Sequence, residues 1–123
     1  MDRKYFPIVF FKTESGREPV REWLKNLMPY ERKIIGEDLK TVQFGWPLGM
    51  PLIKKIEPGL WEVRSRLANK IARVIFTIVN EHIVLLHGLI KKSQRLLADD
   101  LRIARQRLNE VKKSFNRLSR SQA

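Results

Sequence analysis

The chain has 123 residues, of which 43% are hydrophobic and 31% charged, a balance that suits a folded domain with a core of its own and not a disordered tail. It has no cysteine and only two histidines, which excludes a disulfide framework and a cysteine-based zinc site and leaves a poor ligand set for any metal. Lys and Arg number 25 against 13 Asp and Glu, and the resulting formal charge of +12 favours a polyanionic partner through counterion release. No apolar run approaches the ~18 residues of a membrane span, so we expect a cytoplasmic protein without membrane contact and without a cofactor.

In chain order, residues 5–11 are aromatic and β-branched and end at Ser15-Gly16, which predicts a first strand with Pro7 near its start or at an edge. Pro19 suits the first turn of a helix, and Val20, Trp23, Leu24 and Leu27 follow at one-stripe spacing. Pro29 opens a second helix with a stripe of Ile35, Leu39 and Val42, capped at Gly45. After a Pro/Gly-rich connector at 46–51 come four strand-like runs at 52–56, 60–67, 71–79 and 82–90, joined by turns short enough for an antiparallel meander. From Leu97 the apolar residues recur at steps of four and three through Leu101, Ala104, Leu108, Val111, Phe115 and Leu118, a long amphipathic helix. Its stripe packs on the domain's own core or on a partner. The expected fold is α+β: a small antiparallel sheet, two N-terminal helices on one face and a C-terminal helix, in one domain over residues 1–118 with a frayed tail at 119–123.

Charge is concentrated in the strand block, where residues 52–95 carry nine basic and three acidic side chains, against nine and seven in residues 1–51. Strand alternation puts Glu62, Arg64 and Arg66 on one face and Trp61 and Val63 on the other, with Arg73, His87 and Lys91 following the same parity. If the register aligns them, Arg64, Arg73, His87 and Lys91 converge on one open face that offers bidentate guanidinium contacts, one group titrating near neutral pH and an ammonium. Those parts suit metal-independent cleavage of an RNA phosphodiester: Arg64 and Arg73 for charge stabilisation, His87 as acid or base, Lys91 for the remaining proton transfer. The same cations also suit plain phosphate binding, or a merely solubilising surface.

The order of motifs also resembles a known family. Arg17-Glu18-Pro19-Val20-Arg21-Glu22-Trp23-Leu24, Gly59-Leu60-Trp61-Glu62-Val63-Arg64, Arg73-Val74-Ile75-Phe76 and Leu85-Leu86-His87-Gly88-Leu89-Ile90-Lys91-Lys92-Ser93-Gln94 look like the phage-derived branch of the RelE/HigB-type toxins, over residues 5–110. The resemblance implies a toxin of a type II toxin–antitoxin pair: a ribosome-dependent mRNA endonuclease held in a hetero-oligomer by a cognate antitoxin with a helix-turn-helix domain. It implies Arg64, Arg73, His87 and Lys91 as the site, with Lys54, Lys55, Arg66, Lys92 and Arg95 as RNA-binding cations, and Glu62 orienting Arg64 through a salt bridge. Base stacking falls to Trp46 or Trp61, since Tyr5 and Tyr30 lie elsewhere, although core packing also suits Trp61. The chain departs from the family at Leu96-Leu97, where a Thr-Pro pair often precedes the last helix. A ParE-like gyrase inhibitor of the same fold and a noncatalytic nucleic-acid-binding phage accessory protein are the competing readings.

Overall fold

The computed structural model describes residues 5–91 and 98–121, with side chains described over 5–90 and 98–115. Eight elements follow in order: β1 (Ile8–Phe10), α1 (Pro19–Lys25), α2 (Pro29–Gly45), β2 (Ile53–Glu57), β3 (Leu60–Arg66), β4 (Ile71–Val79), β5 (His82–Lys91) and α3 (Ala98–Ser121). Both N-terminal helices open on a proline, whose missing N–H would have had no helical partner there. At the start of α2 the Met28 N–H donates to Glu31 Oε1 at 3.1 Å, so the third helical residue reaches back over the first turn.

The sheet has the order β1-β5-β4-β3-β2. β2 to β5 form the expected antiparallel meander, and the β4–β5 hairpin turns at Asn80 and Glu81, both with positive φ (49° and 62°), which matches the twist of the flanking strands. Two expectations need amendment. β1 joins β5 in parallel, with Ile8 opposite Ile83 and Phe10 opposite Leu85, so the sheet is mixed. β1 is also shorter than residues 5–11, because Pro7 has no N–H to donate and Phe6 turns to α2 instead, giving its N–H to the Gln43 carbonyl at 2.9 Å and accepting from Gln43 Nε2 at 3.3 Å.

Each face of the sheet carries its own core. On one face Val20 of α1 and Ile35, Leu39 and Val42 of α2 bury against Val63, Val74, Phe76 and Leu85. Gly88 of β5 lies beneath the Trp23 indole, and any Cβ there would run into the ring. On the other face Ala104 and Leu108 of α3 bury against Leu60, Ile75, Leu86 and Phe11. Burying one such leucine removes enough apolar area to contribute ~1.5–3 kcal/mol.

Arg105 and Arg107 each tie α3 to the sheet through a polar contact. Arg105 reaches Glu57 at 2.7 Å, and Arg107 Nη1 donates to the Leu86 carbonyl at 2.7 Å. Leu86 falls where the β4–β5 pairing shifts between Ile75 and Phe76, so the Arg107 contact serves a carbonyl at a bulge. No helix among the described residues is long and apolar enough to cross a membrane.

Candidate functional site

The register brings the strand cations together around Arg73. Arg64 is directly opposite it on β3, and Leu89 directly opposite it on β5. His87, opposite Ile75, and Lys91, opposite Ile71, are therefore the two diagonal neighbours of Arg73 on β5, and Glu62, also opposite Ile75, is its diagonal neighbour on β3. Lys54 on β2 stands opposite Glu62. By alternation Lys54, Glu62, Arg64, Arg73 and His87 all lie on the α3 face, while Trp61, Val63, Val74 and Phe76 lie on the face covered by α1 and α2.

Two arginines directly opposite each other repel unless a counter-charge intervenes. Glu62 supplies it: Oε1 is 3.8 Å from Arg64 Nε and Oε2 is 3.7 Å from Arg73 Nη1. Glu62 and Arg73 are 1% and 2% exposed, so a buried carboxylate and guanidinium form the base of the site. Burial pushes the Glu62 carboxyl above the usual carboxylate range, against the opposing pull of Arg73, Arg64 and Lys54. The open face expected from alternation is therefore partly closed. Arg73 is buried on the face that α3 covers.

Of the other expected site residues, His87 Nε2 lies 2.8 Å from Asp100 Oδ1 in the first turn of α3, with both side chains about 15% exposed (15% and 14%). Lys54 and Arg66 are exposed on the sheet. Lys55 is also exposed, but it stands opposite Trp61 and so on the other face. Lys91 ends β5 opposite Ile71, while Lys92 and Arg95, like Leu96-Leu97, lie outside the described residues. Trp46 and Trp61 pack edge to face at 5.1 Å and both pack on Phe76, which commits them to the α1–α2 core and leaves no base-stacking platform there.

Sequence reasoning missed Asp100 and Asp38. Asp100 reads in sequence as one of two acids favoured by a helix N-terminus, and nothing in the pattern ties it to a histidine thirteen residues earlier. Asp38 of α2 lines a pocket of about 340 Å³ together with Arg64 and Arg66, so the pocket opens beside the Glu62 cluster through a shared arginine. Asp38 reads in sequence as part of a solvated helix face, because the pocket exists only once α2 is laid against the end of β3.

Among curated proteins none matches the chain. The family model for phage-derived Gp49-like proteins (DUF891) matches residues 22–109, a span that contains α2, the whole meander and the first half of α3 together with every group of the cluster just described. The chain belongs to this family, a RelE/HigB-like family associated with the toxins of toxin–antitoxin systems.

Proposed function

We propose that the chain is an endoribonuclease toxin that cuts mRNA on the ribosome without a metal, by attack of a 2′-hydroxyl on the adjacent phosphate. The observation that carries this reading is the Arg64–Arg73 pair opposed across the sheet and held by one buried carboxylate. In the reaction the 2′-oxygen loses its proton and bonds to phosphorus, the bond to the 5′-oxygen breaks, and that oxygen takes up a proton, leaving a 2′,3′-cyclic phosphate and a 5′-hydroxyl. Arg64, 17% exposed, meets the phosphate and stabilises its growing charge. Arg73 acts from beneath, fixing Glu62 and through it Arg64, and adds its field in a site of low dielectric. His87 and Lys91 carry the two proton transfers. Asp100 holds the imidazole by Nε2 and leaves Nδ1 for the proton. Lys54 and Arg66 hold the RNA backbone on the face of the cluster, Lys55 meets it from the other face of the edge strand β2, and Lys92 and Arg95 belong to the same set of RNA-binding cations.

The family association brings an antitoxin partner. We assign it a helix-turn-helix domain and an acidic segment that covers the basic surface of this +12 chain in a hetero-oligomer. The test is expression of the wild type, Arg64→Ala and Arg73→Ala in cells, with sequencing of mRNA ends and circular dichroism to confirm folding. The wild type should arrest growth and leave cut mRNA, and Arg64→Ala should lose about 100-fold or more of the cleavage. Full toxicity in both folded variants overturns the site, and gyrase inhibition with intact mRNA overturns the endonuclease reading.

A further inference from the structure

The pocket between α2 and the end of β3 combines three kinds of surface. Ile34, Leu52 and Ile71 give it apolar walls, Arg64 and Arg66 of β3 line it, and Asp38 is its only acidic lining residue. Arg64 Nε is buried with no hydrogen-bond partner. Asp38 is half-buried, and neither a hydrogen bond nor an ion pair engages it among the described residues, although two arginines line the same cavity. A carboxylate that lines a pocket with two arginines and pairs with neither is open to a different donor.

A nucleobase fits this combination. Its two faces stack on apolar side chains and guanidinium planes, and its edge is a row of donors and acceptors. The volume of about 340 Å³ lies at the lower end of the range for small-molecule sites, enough for a single base with part of its sugar. The bases differ in what they offer a carboxylate. Guanine presents two adjacent donors, N1–H and the N2 amino group, which match the two carboxylate oxygens. Adenine and cytosine set an acceptor beside their amino donor, and uracil flanks one donor with two carbonyls, so each of these turns a lone pair towards the carboxylate.

We propose that this pocket binds a guanine of the RNA next to the cleaved phosphate, with Asp38 reading its Watson–Crick edge and Arg64 shared between the base and the phosphate. This assignment rests on the endoribonuclease reading for the position of the base and deepens it by naming a specificity-determining residue. Asp38 is exposed enough and unpaired enough for Asp38→Asn to be tolerated by the fold. That substitution replaces two acceptors by one acceptor and one donor, the complement of adenine.

The experiment is titration of the full chain with the four nucleoside 3′-monophosphates, followed by amide chemical shifts, for the wild type and Asp38→Asn, alongside sequencing of RNA ends cut by each. The wild type should bind 3′-GMP about tenfold or more tightly than 3′-AMP and should cut beside guanine. Asp38→Asn should lose that preference and shift it towards adenine at both readouts. Equal binding of all four nucleotides, or an unchanged guanine preference in a folded Asp38→Asn, overturns the proposal. RNA cleavage without guanine bias overturns the pocket assignment alone. Guanine-selective binding that depends on Asp38 but comes with no cleavage supports the pocket and overturns the endonuclease reading.

Discussion

At position 62 a carboxylate is balanced between two arginines and the cost of leaving water. Burial dominates, so Glu62 holds its proton more tightly in the folded chain than in the unfolded one. The folded pKa lies above the unfolded value, so the native state binds the extra proton in the interval between them and stability falls as pH rises across it. The stability of the wild type should therefore decline relative to Glu62→Gln as pH rises from about 4.5, the ordinary value for a glutamate, and the two curves should run parallel beyond the interval. Urea unfolding of both proteins at a series of pH values measures this; parallel curves throughout would mean that Glu62 does not titrate differently on folding. Protonation also leaves Arg64 and Arg73 with less compensation, which strengthens the positive potential met by a phosphate. The register that sets Arg73 between β3 and β5 was left open, but the common face of Glu62 and Arg64 and the shared parity of His87 and Lys91 were legible from alternation. The burial of Glu62 and Arg73 was not, because a single strand carries no record of what is laid over it.

The elements show the same division. The second helix's stripe of Ile35, Leu39 and Val42 was readable from spacing and is buried, as is Val20 of the first helix's stripe, whose Trp23, Leu24 and Leu27 are partly buried against the same core; Ala104 and Leu108 of the last helix are buried too. Phe115, in the same stripe, is 36% exposed, as expected of a helix longer than the sheet it crosses. The bulge at Leu86 could not be read, since the run from His82 to Lys91 alternates no differently around it. Its stabilisation depends on Arg107, whose guanidinium donates to the Leu86 carbonyl and lies 5.5 Å over the Phe11 ring. Arg107→Met keeps most of the apolar stem and leaves that carbonyl without its donor, so unfolding free energy should drop by about 1–3 kcal/mol by denaturant titration. The Arg105–Glu57 pair, with side chains 55% and 30% exposed, adds little in comparison despite its 2.7 Å contact.

For the whole molecule, the proposed endonuclease reading together with the +12 charge predicts an RNA affinity that depends on salt. The logarithm of the binding constant should fall linearly with that of salt concentration, and substituting Lys54 or Arg66 by Ala should each reduce the slope by about 0.7, the value for one phosphate contact on a single strand. An unchanged slope would remove that residue from the RNA path. The antiparallel meander was legible because its turns are short, whereas the partner of the first strand was not, since it lies beyond both N-terminal helices. That pairing of β1 with β5 joins Ile8 to Ile83 and so sets the order of assembly. As the chain leaves the ribosome, β1 emerges before β5 and has no strand to join until both N-terminal helices and the meander have been made. The sheet closes before α3 is available to cover it, so Phe11 and the floor beneath α3 stand open until that helix docks, and a partner arriving during translation meets a different surface from one arriving after it.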